Sequence, residues 1–271
     1  MPKSRKKLIR FQLFQDLPNC IELVELSNIP NPKLILGQFF VERFEESLQE
    51  SPLSSCAISP CQGVGGYQKN LEKSQNEFPL SGGKGVQLYK IPNLTLELGC
   101  GKGEYVVDLA SKYPENNYVG IDIKGDRMAV GAKICVERKL DNAVFIRTSI
   151  ENIDKFIEPN SVDSIWITFA DPQPNRLHKR LTSKDFLTKY YSLLKENGTI
   201  YLKTDSELLY ESTLAELSQL TDFWLIKNQS TDLHNQTKFH YENTTTTFEK
   251  KYLEQGVKIK FLEIVKLYVE L

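Results

Sequence analysis

The sequence predicts an α/β protein, a mostly parallel sheet of seven strands with helices on both faces. Three observations carry that prediction. From about residue 94 onward, short apolar runs alternate with helix-period segments, the pattern of repeated βα units. The first run, Leu94–Leu98, ends in glycines spaced two apart, Gly99, Gly101 and Gly103, and an apolar helical face of Val106, Val107, Leu109 and Ala110 follows. Strand, glycine turn and helix in that order belong to a Rossmann-like nucleotide-binding sheet. The run Val162–Phe169 is densely apolar, as a central strand buried on both faces requires.

The remaining elements follow in order. After a helix over Glu104–Lys112, a second strand spans Tyr118–Ile123 and a second helix Asp126–Lys139. Ala143–Thr148 is the third strand and Val162–Phe169 the fourth. A helix over Lys184–Lys195 reaches Asn197-Gly198, a helix stop, before the fifth strand at Thr199–Lys203. A helix over Leu208–Leu220 precedes the sixth strand, Phe223–Lys227, and the last strand covers Lys258–Val269.

The 271 residues carry a net charge of −1 and 40% apolar side chains, the composition of a water-soluble globular protein. No apolar run reaches the ~18–20 residues of a membrane span, and the basic N-terminus lacks the apolar core of a secretory signal. Cys20, Cys56, Cys61, Cys100 and Cys135 are scattered, with no Cys-x-x-Cys or histidine cluster, which argues against a zinc site and for reduced thiols in the cytoplasm. Residues 1–26 form a basic N-terminal segment with Lys3, Arg5, Lys6, Lys7 and Arg10, read as a tail. Residues 27–76, rich in Pro, Ser and Gly, read as a flexible insertion with at most a short helix over Leu34–Leu48. Residues 77–271 hold the regular domain.

Ligands of such sheets bind beyond the carboxyl ends of the strands, so the residues there carry the chemistry. Glu97 stands two places before the first glycine, giving E-x-G-x-G-x-G rather than the dinucleotide G-x-G-x-x-G. An acid in that place suits a cationic group, such as the amino-acid end of S-adenosyl-L-methionine. Asp122 follows the second strand and can accept ribose hydroxyls. Ser149 follows the third and can meet an adenine edge or cap a short helix. Asp171 follows the fourth within Asp-Pro-Gln-Pro, where the prolines stiffen the backbone that aims it. Asp205 follows the fifth, as a ligand contact or a helix N-cap. Four acids on one rim without a histidine partner argue weakly for a metal. Arg176, His178, Lys179, Arg180 and Lys184 make a second basic cluster beside Asp171.

Taken together, Leu96–Glu104, Val119–Lys124, Phe169–Thr182, Leu202–Asp205 and Thr246-Thr-Phe-Glu249 resemble the bacterial tRNA (guanine-N7-)-methyltransferase family, over roughly Phe78–Phe261. The resemblance implies a class I methyltransferase that moves a methyl group from S-adenosyl-L-methionine to N7 of guanine at position 46, in the variable loop of tRNA. It implies that Glu97, Asp122, Ser149 and Asp171 bind the donor. It implies substrate contacts from Asn175 or Arg176, from Asp205 and from Thr246, Phe248 and Glu249. Ala170 and Gln173 stand where the family commonly has Pro or Ser and Trp.

The chemistry suits these residue types. Guanine N7 presents a lone pair on the major-groove edge and has no proton to lose, so no general base is required. Asp171 can stabilise the positive charge that develops on the purine. Arg176, Lys179, Arg180 and the N-terminal cations can hold phosphates. Phe169 or Phe248 can stack on the base, although the core is the competing place for each. Methylation of an exocyclic amine would call for an aromatic after the proline pair, where this chain has none. A non-catalytic RNA-binding module and a nicotinamide enzyme also compete as readings of the scaffold, and the glycine spacing opposes the second.

Overall fold

The computed structural model describes residues 3–23, 40, 91–236 and 244–268. Helix α1 (Lys3–Asp16) and strand β1 (Cys20–Glu22) come first. Then follow β2 (Leu94–Leu98), α2 (Glu104–Lys112), β3 (Asn117–Asp122), α3 (Gly125–Glu137), β4 (Ala143–Arg147), β5 (Val162–Thr168), α4 (Lys184–Leu193) and β6 (Leu194–Thr204). The chain ends through α5 (Glu207–Leu217), β7 (Trp224–Ser230), α6 (Thr247–Glu254) and β8 (Lys260–Lys266). Among the described residues, three 3-10 turns, Ile150–Lys155, Leu177–Lys179 and Leu233–Asn235, lie between elements.

The strands form one sheet in the order β1-β4-β3-β2-β5-β6-β8-β7. The first six run parallel; β8 is antiparallel to β6 and β7 is antiparallel to β8. The sheet therefore has eight strands where the sequence predicts seven. The addition is β1, which pairs Cys20–Glu22 with Phe145–Arg147 along the free edge of β4. Three residues are too few for a period of two to register. The N-terminal basic segment is accordingly no loose tail. Phe14 on α1 is buried among Met128, Ala129 and Ala132 of α3, and the Asn19 amide donates to Ala132 O at 3.1 Å. Residues 27–76, with the helix expected over Leu34–Leu48, lie outside the described residues apart from Phe40, which packs partly buried against the core.

Alternation along the strands sorts side chains between two helix layers. Leu94, Leu96, Leu98, Ile165, Ile167, Ile200 and Leu202 face a core shared with Phe186, Leu187 and Tyr190 of α4 and Leu209 and Tyr210 of α5. The intervening residues face α1, α2 and α3. There Trp166 stacks on Tyr201 at 4.3 Å and packs against Tyr105 of α2 at 4.7 Å between ring centroids. Glu97, Thr168 and Lys203 lie on this second face, at or near the carboxyl ends of β2, β5 and β6, with Thr168 directly paired to Lys203. Asn197-Gly198 does not stop α4, which ends at Leu193. Asn197 takes a φ of 59° inside β6, where the register against β5 shifts between Val162 and Ser164. A left-handed asparagine serves a kink in a strand as readily as a helix end.

Candidate active site

Chain order reverses between β2 and β5, and the glycine turn opens at that switch point. Gly99, Gly101 and Gly103 all have positive φ, 74°, 55° and 69°. Gly103 has a second constraint: a Cβ there would stand 2.3 Å from the Phe145 ring. The Gly99 and Cys100 N–H groups donate to Ile121 O at 2.8 and 3.1 Å. Asp122 fastens the turn from the next strand. Its Oδ2 accepts the Gly101 N–H and its Oδ1 the Lys124 N–H, both at 2.9 Å. Each oxygen keeps a lone pair for a hydroxyl.

Glu97 lies beneath this turn, 4% exposed. Thr168 donates its hydroxyl to Oε1 at 2.8 Å, while Oε2 has no hydrogen-bond partner. Burial pushes its pKa up to about 8, against the pull of the Thr168 hydroxyl and the Val106 N–H and with further help from the negative charges of Asp122 and Glu104. Such an orphaned oxygen fits an incoming ammonium group. Glu97 lines a cleft of about 550 Å³ together with the glycine turn, Thr168, Phe169, Thr246 and Phe248, and with Arg10 of α1 and Arg127 of α3.

The loop after β5 is braced at several points. Phe169 adopts a φ of 51° and Gln173 one of 44°, left-handed conformations that cost a non-glycine residue energy and persist only where neighbours hold them. The Phe169 N–H donates to Lys203 O at 2.8 Å. Asp171 is exposed, and its Oδ1 accepts the Gln173 N–H at 3.0 Å, closing an Asx turn. Arg180 departs from its expected role on the surface. It is 6% exposed, and its Nε donates to Pro172 O at 2.8 Å. That bond ties the Arg180 side chain to the Asp171 loop.

A second cleft, about 300 Å³, lies on the other side of Asp122 and is lined by Thr148, Ser149, Glu151, Gln173, Arg176 and Lys179 among others. Ser149 does not cap the turn it precedes; its hydroxyl donates to Glu151 at 3.0 Å. Lys179 pairs with Glu151 across the cleft. Asn175 and Arg176 are exposed. Asp205 sits at the rim, where its carbonyl accepts from Lys260. The cap of α5 is Ser206, whose Oγ accepts the Leu209 N–H at 3.2 Å, so the Asp205 carboxylate is not used as one. The four rim acids are set apart by their strands, and no group of three or more His, Cys, Asp or Glu is placed to hold a metal ion among the described residues.

Thr246-Thr-Phe-Glu249 opens α6. Thr246 is its N-cap and accepts the Glu249 N–H at 3.2 Å. The threonines fix this segment on α2: Thr244 bonds Asp108, and the Thr247 N–H donates to Glu104 at 2.5 Å. Phe248 is 47% exposed and lies 5.2 Å from Phe169, which is half-buried and packs against the core; both line the cleft. Glu249 departs from expectation in the opposite sense. It is wholly buried, its carboxylate held by Lys203 at 2.8 Å and by His234 at 2.8 Å, out of reach of a substrate.

Three residues of this site escape sequence reasoning. Lys203 has a signal: in Ile200-Tyr-Leu-Lys203 it takes an inward position of a strand with two covered faces, where a lysine demands a partner. Thr168 shares the face of Glu97 by the same alternation. His234 follows no pattern; only the fold brings it to Glu249.

Fold and site together define a doubly wound methyltransferase, with a glycine turn and a buried acid under an open cleft. The family model described as a putative methyltransferase matches residues 92–262. The chain is 40% identical over 197 residues to the tRNA (guanine-N(7)-)-methyltransferase of Porphyromonas gingivalis, covering 71% of this chain and 79% of that one. It is 42% identical to the enzyme of the same name from Christiangramia forsetii, covering 70% and 87%. Among solved structures, the 16S rRNA methyltransferase KamB aligns with a TM-score of 0.50 at 12% identity, over 66% of this chain and 90% of that one, a likeness of fold. The chain belongs to the bacterial tRNA (guanine-N7-)-methyltransferase family.

Proposed function

We propose that this protein transfers a methyl group from S-adenosyl-L-methionine to N7 of guanine in tRNA, at position 46 of the variable loop, and that it does so in the cytoplasm. The observation that carries the proposal is the unpartnered Glu97 oxygen, buried under the glycine turn of a family member, on a residue that lines the same cleft as the exposed Phe248 and the half-buried Phe169. Glu97 would take the donor's ammonium group, Asp122 its ribose hydroxyls, and the cleft beside Ser149 its adenine. When bound, the donor supplies an electrophilic methyl on a sulfonium.

The chain's own residues then have two tasks. One is to orient. Holding two reactants in line contributes about 7–11 kcal/mol to a barrier of this kind, more than any single charge. Phe169 and Phe248 offer faces on which a purine can stack, worth roughly 1–3 kcal/mol per base. The braced loop after β5 fixes Asp171, and Asp205 adds a second carboxylate at the rim. The other task is charge. As N7 takes the methyl the purine becomes cationic, and a fixed carboxylate at Asp171 stabilises it by about 3–4 kcal/mol on the scale of other preorganised sites. Asp171 can also accept from the purine N1–H and amino group. No residue has to remove a proton. Arg176 and Lys179 line the second cleft and Arg10 the first, and they would take RNA phosphates.

The test uses labelled donor and two tRNA transcripts that differ only at position 46. Incorporation into the transcript with guanine and none into that with adenine is the expected result. Equal labelling of both would place the methyl elsewhere.

A further inference from the structure

Glu249 belongs to the segment expected to touch substrate, yet it is sealed inside the protein. Its Oε2 accepts from Lys203 Nζ at 2.8 Å, and its Oε1 meets His234 Nε2 at 2.8 Å. Lys203 also donates to Thr244 O at 3.1 Å. The three residues come from three places: the carboxyl end of β6, the first turn of α6 and the 3-10 turn Leu233–Asn235. They join the chain on both sides of residues 237–243.

Lys203 is central for a second reason. Its carbonyl accepts the Phe169 N–H, while its ammonium holds the carboxylate of Glu249, the residue next to Phe248. One residue thus anchors both rings, the first through its main chain and the second through an ion pair. We propose that Lys203, Glu249 and His234 form a buried peg that sets Phe248 against Phe169 at the mouth of the cleft, and that His234 is thereby a positioning residue for methyl transfer. The proposal deepens the functional reading above and rests on it for the reaction, but not for the geometry.

The peg explains why a carboxylate is kept where no ligand reaches. Removing one partner of a buried ion pair leaves the other charged and unpaired, so E249A or K203A threatens the fold itself. His234 is the better handle. It is 25% exposed, and its loss leaves the Lys203–Glu249 pair in place. The chain would then lose one of the two contacts that fix the Glu249 carboxylate and, with it, the placement of Phe248. A displacement of about 1 Å near reacting groups can cost on the order of 100-fold in rate.

The experiment compares the full-length protein with its H234A and H234Q variants. For each, kcat and KM with tRNA are measured, donor affinity is measured by calorimetry, and the 19F resonance of 4-fluorophenylalanine at position 248 is recorded. H234A is expected to lower kcat about 10-fold or more with donor affinity within about twofold of the parent. The resonance should shift or broaden. H234Q, which can still donate to Glu249, should restore most of both. Parent-like kinetics and an unmoved resonance in H234A would overturn the proposal. So would a fall in donor affinity parallel to that in kcat, or an H234Q as impaired as H234A. A parent protein that methylates no tRNA would refute the reaction, and the fluorine signal would still decide the peg.

Discussion

A carboxyl group cut off from water keeps its proton to higher pH, and Glu97 is that case. Its pKa of about 8 lies above the ordinary 4.5, so at pH 7 the ligand-free protein carries Glu97 mostly neutral. A cationic ligand favours the ionised form. Calorimetry of donor binding at pH 7 in buffers of different ionisation enthalpy should therefore show release of close to one proton. Stability runs the other way. Below pH 4.5 the folded and unfolded chains both hold this proton. Between 4.5 and 8 only the folded chain does, so stability from this group is lost as pH rises through that window and is flat above it. Glu97→Gln removes the penalty and is expected to raise the stability of the ligand-free protein at pH 7 by up to about 3 kcal/mol while abolishing tight donor binding. Thermal unfolding across pH 5–9 checks both the sign and the window. Asp171 acts otherwise: D171A should lower turnover about 100- to 1,000-fold, far more than it lowers donor affinity, as loss of a preorganised charge does.

The same two acids show what is legible in a sequence at this scale. Glu97 and Asp171 are readable because their places are set by neighbours along the chain, the glycines in one case and the prolines in the other. Arg180 and Glu249 mislead because they stand in motifs that look exposed, and burial is decided by segments far away. Arg180 lies under Pro172, and Glu249 meets a lysine 46 residues before it.

Among the elements, the βα units of the regular domain follow the predicted order, with ends displaced by a few residues. Periods of two and 3.6 are strong there because each strand is covered on one or both faces. What periodicity misses is held by tertiary contact. The helix α1 has little apolar periodicity and reads as basic sequence, but Phe14 locks it to α3. Phe14→Ala should cost about 3–5 kcal/mol, measured by urea unfolding, where a loose tail would cost nothing. α6 is short and hides in a threonine run; its start is set by the Thr246 cap. Thr246→Ala is expected to cost about 1 kcal/mol of stability and to weaken methyl transfer more than donor binding, because Phe248 rides on that first turn.

At the scale of the molecule, one rim gathers the donor cleft, the rings of Phe169 and Phe248 and cations from three separate elements: Arg10 of α1, Arg127 of α3, and Arg176 and Lys179 after β5. A net charge of −1 hides this arrangement, since 34 Lys and Arg are balanced by 35 Asp and Glu. R176A/K179A should weaken tRNA binding and reduce the dependence of log affinity on log salt by about 1–2, leaving donor affinity intact. R180A belongs to a different class: it should lower kcat by loosening the Asp171 loop and leave the salt dependence unchanged.

Methylation at guanine N7 weakens the glycosidic bond and marks the strand for chemical scission, so the modified nucleotide can be found without assumption about where it lies. Transcribed tRNA is incubated with the protein and S-adenosyl-L-methionine, reduced with borohydride, cleaved with aniline and sequenced. A single donor-dependent break at position 46, lost in D171A, is the predicted result. An intact strand carrying the methyl on another atom, or no methyl at all, would contradict it.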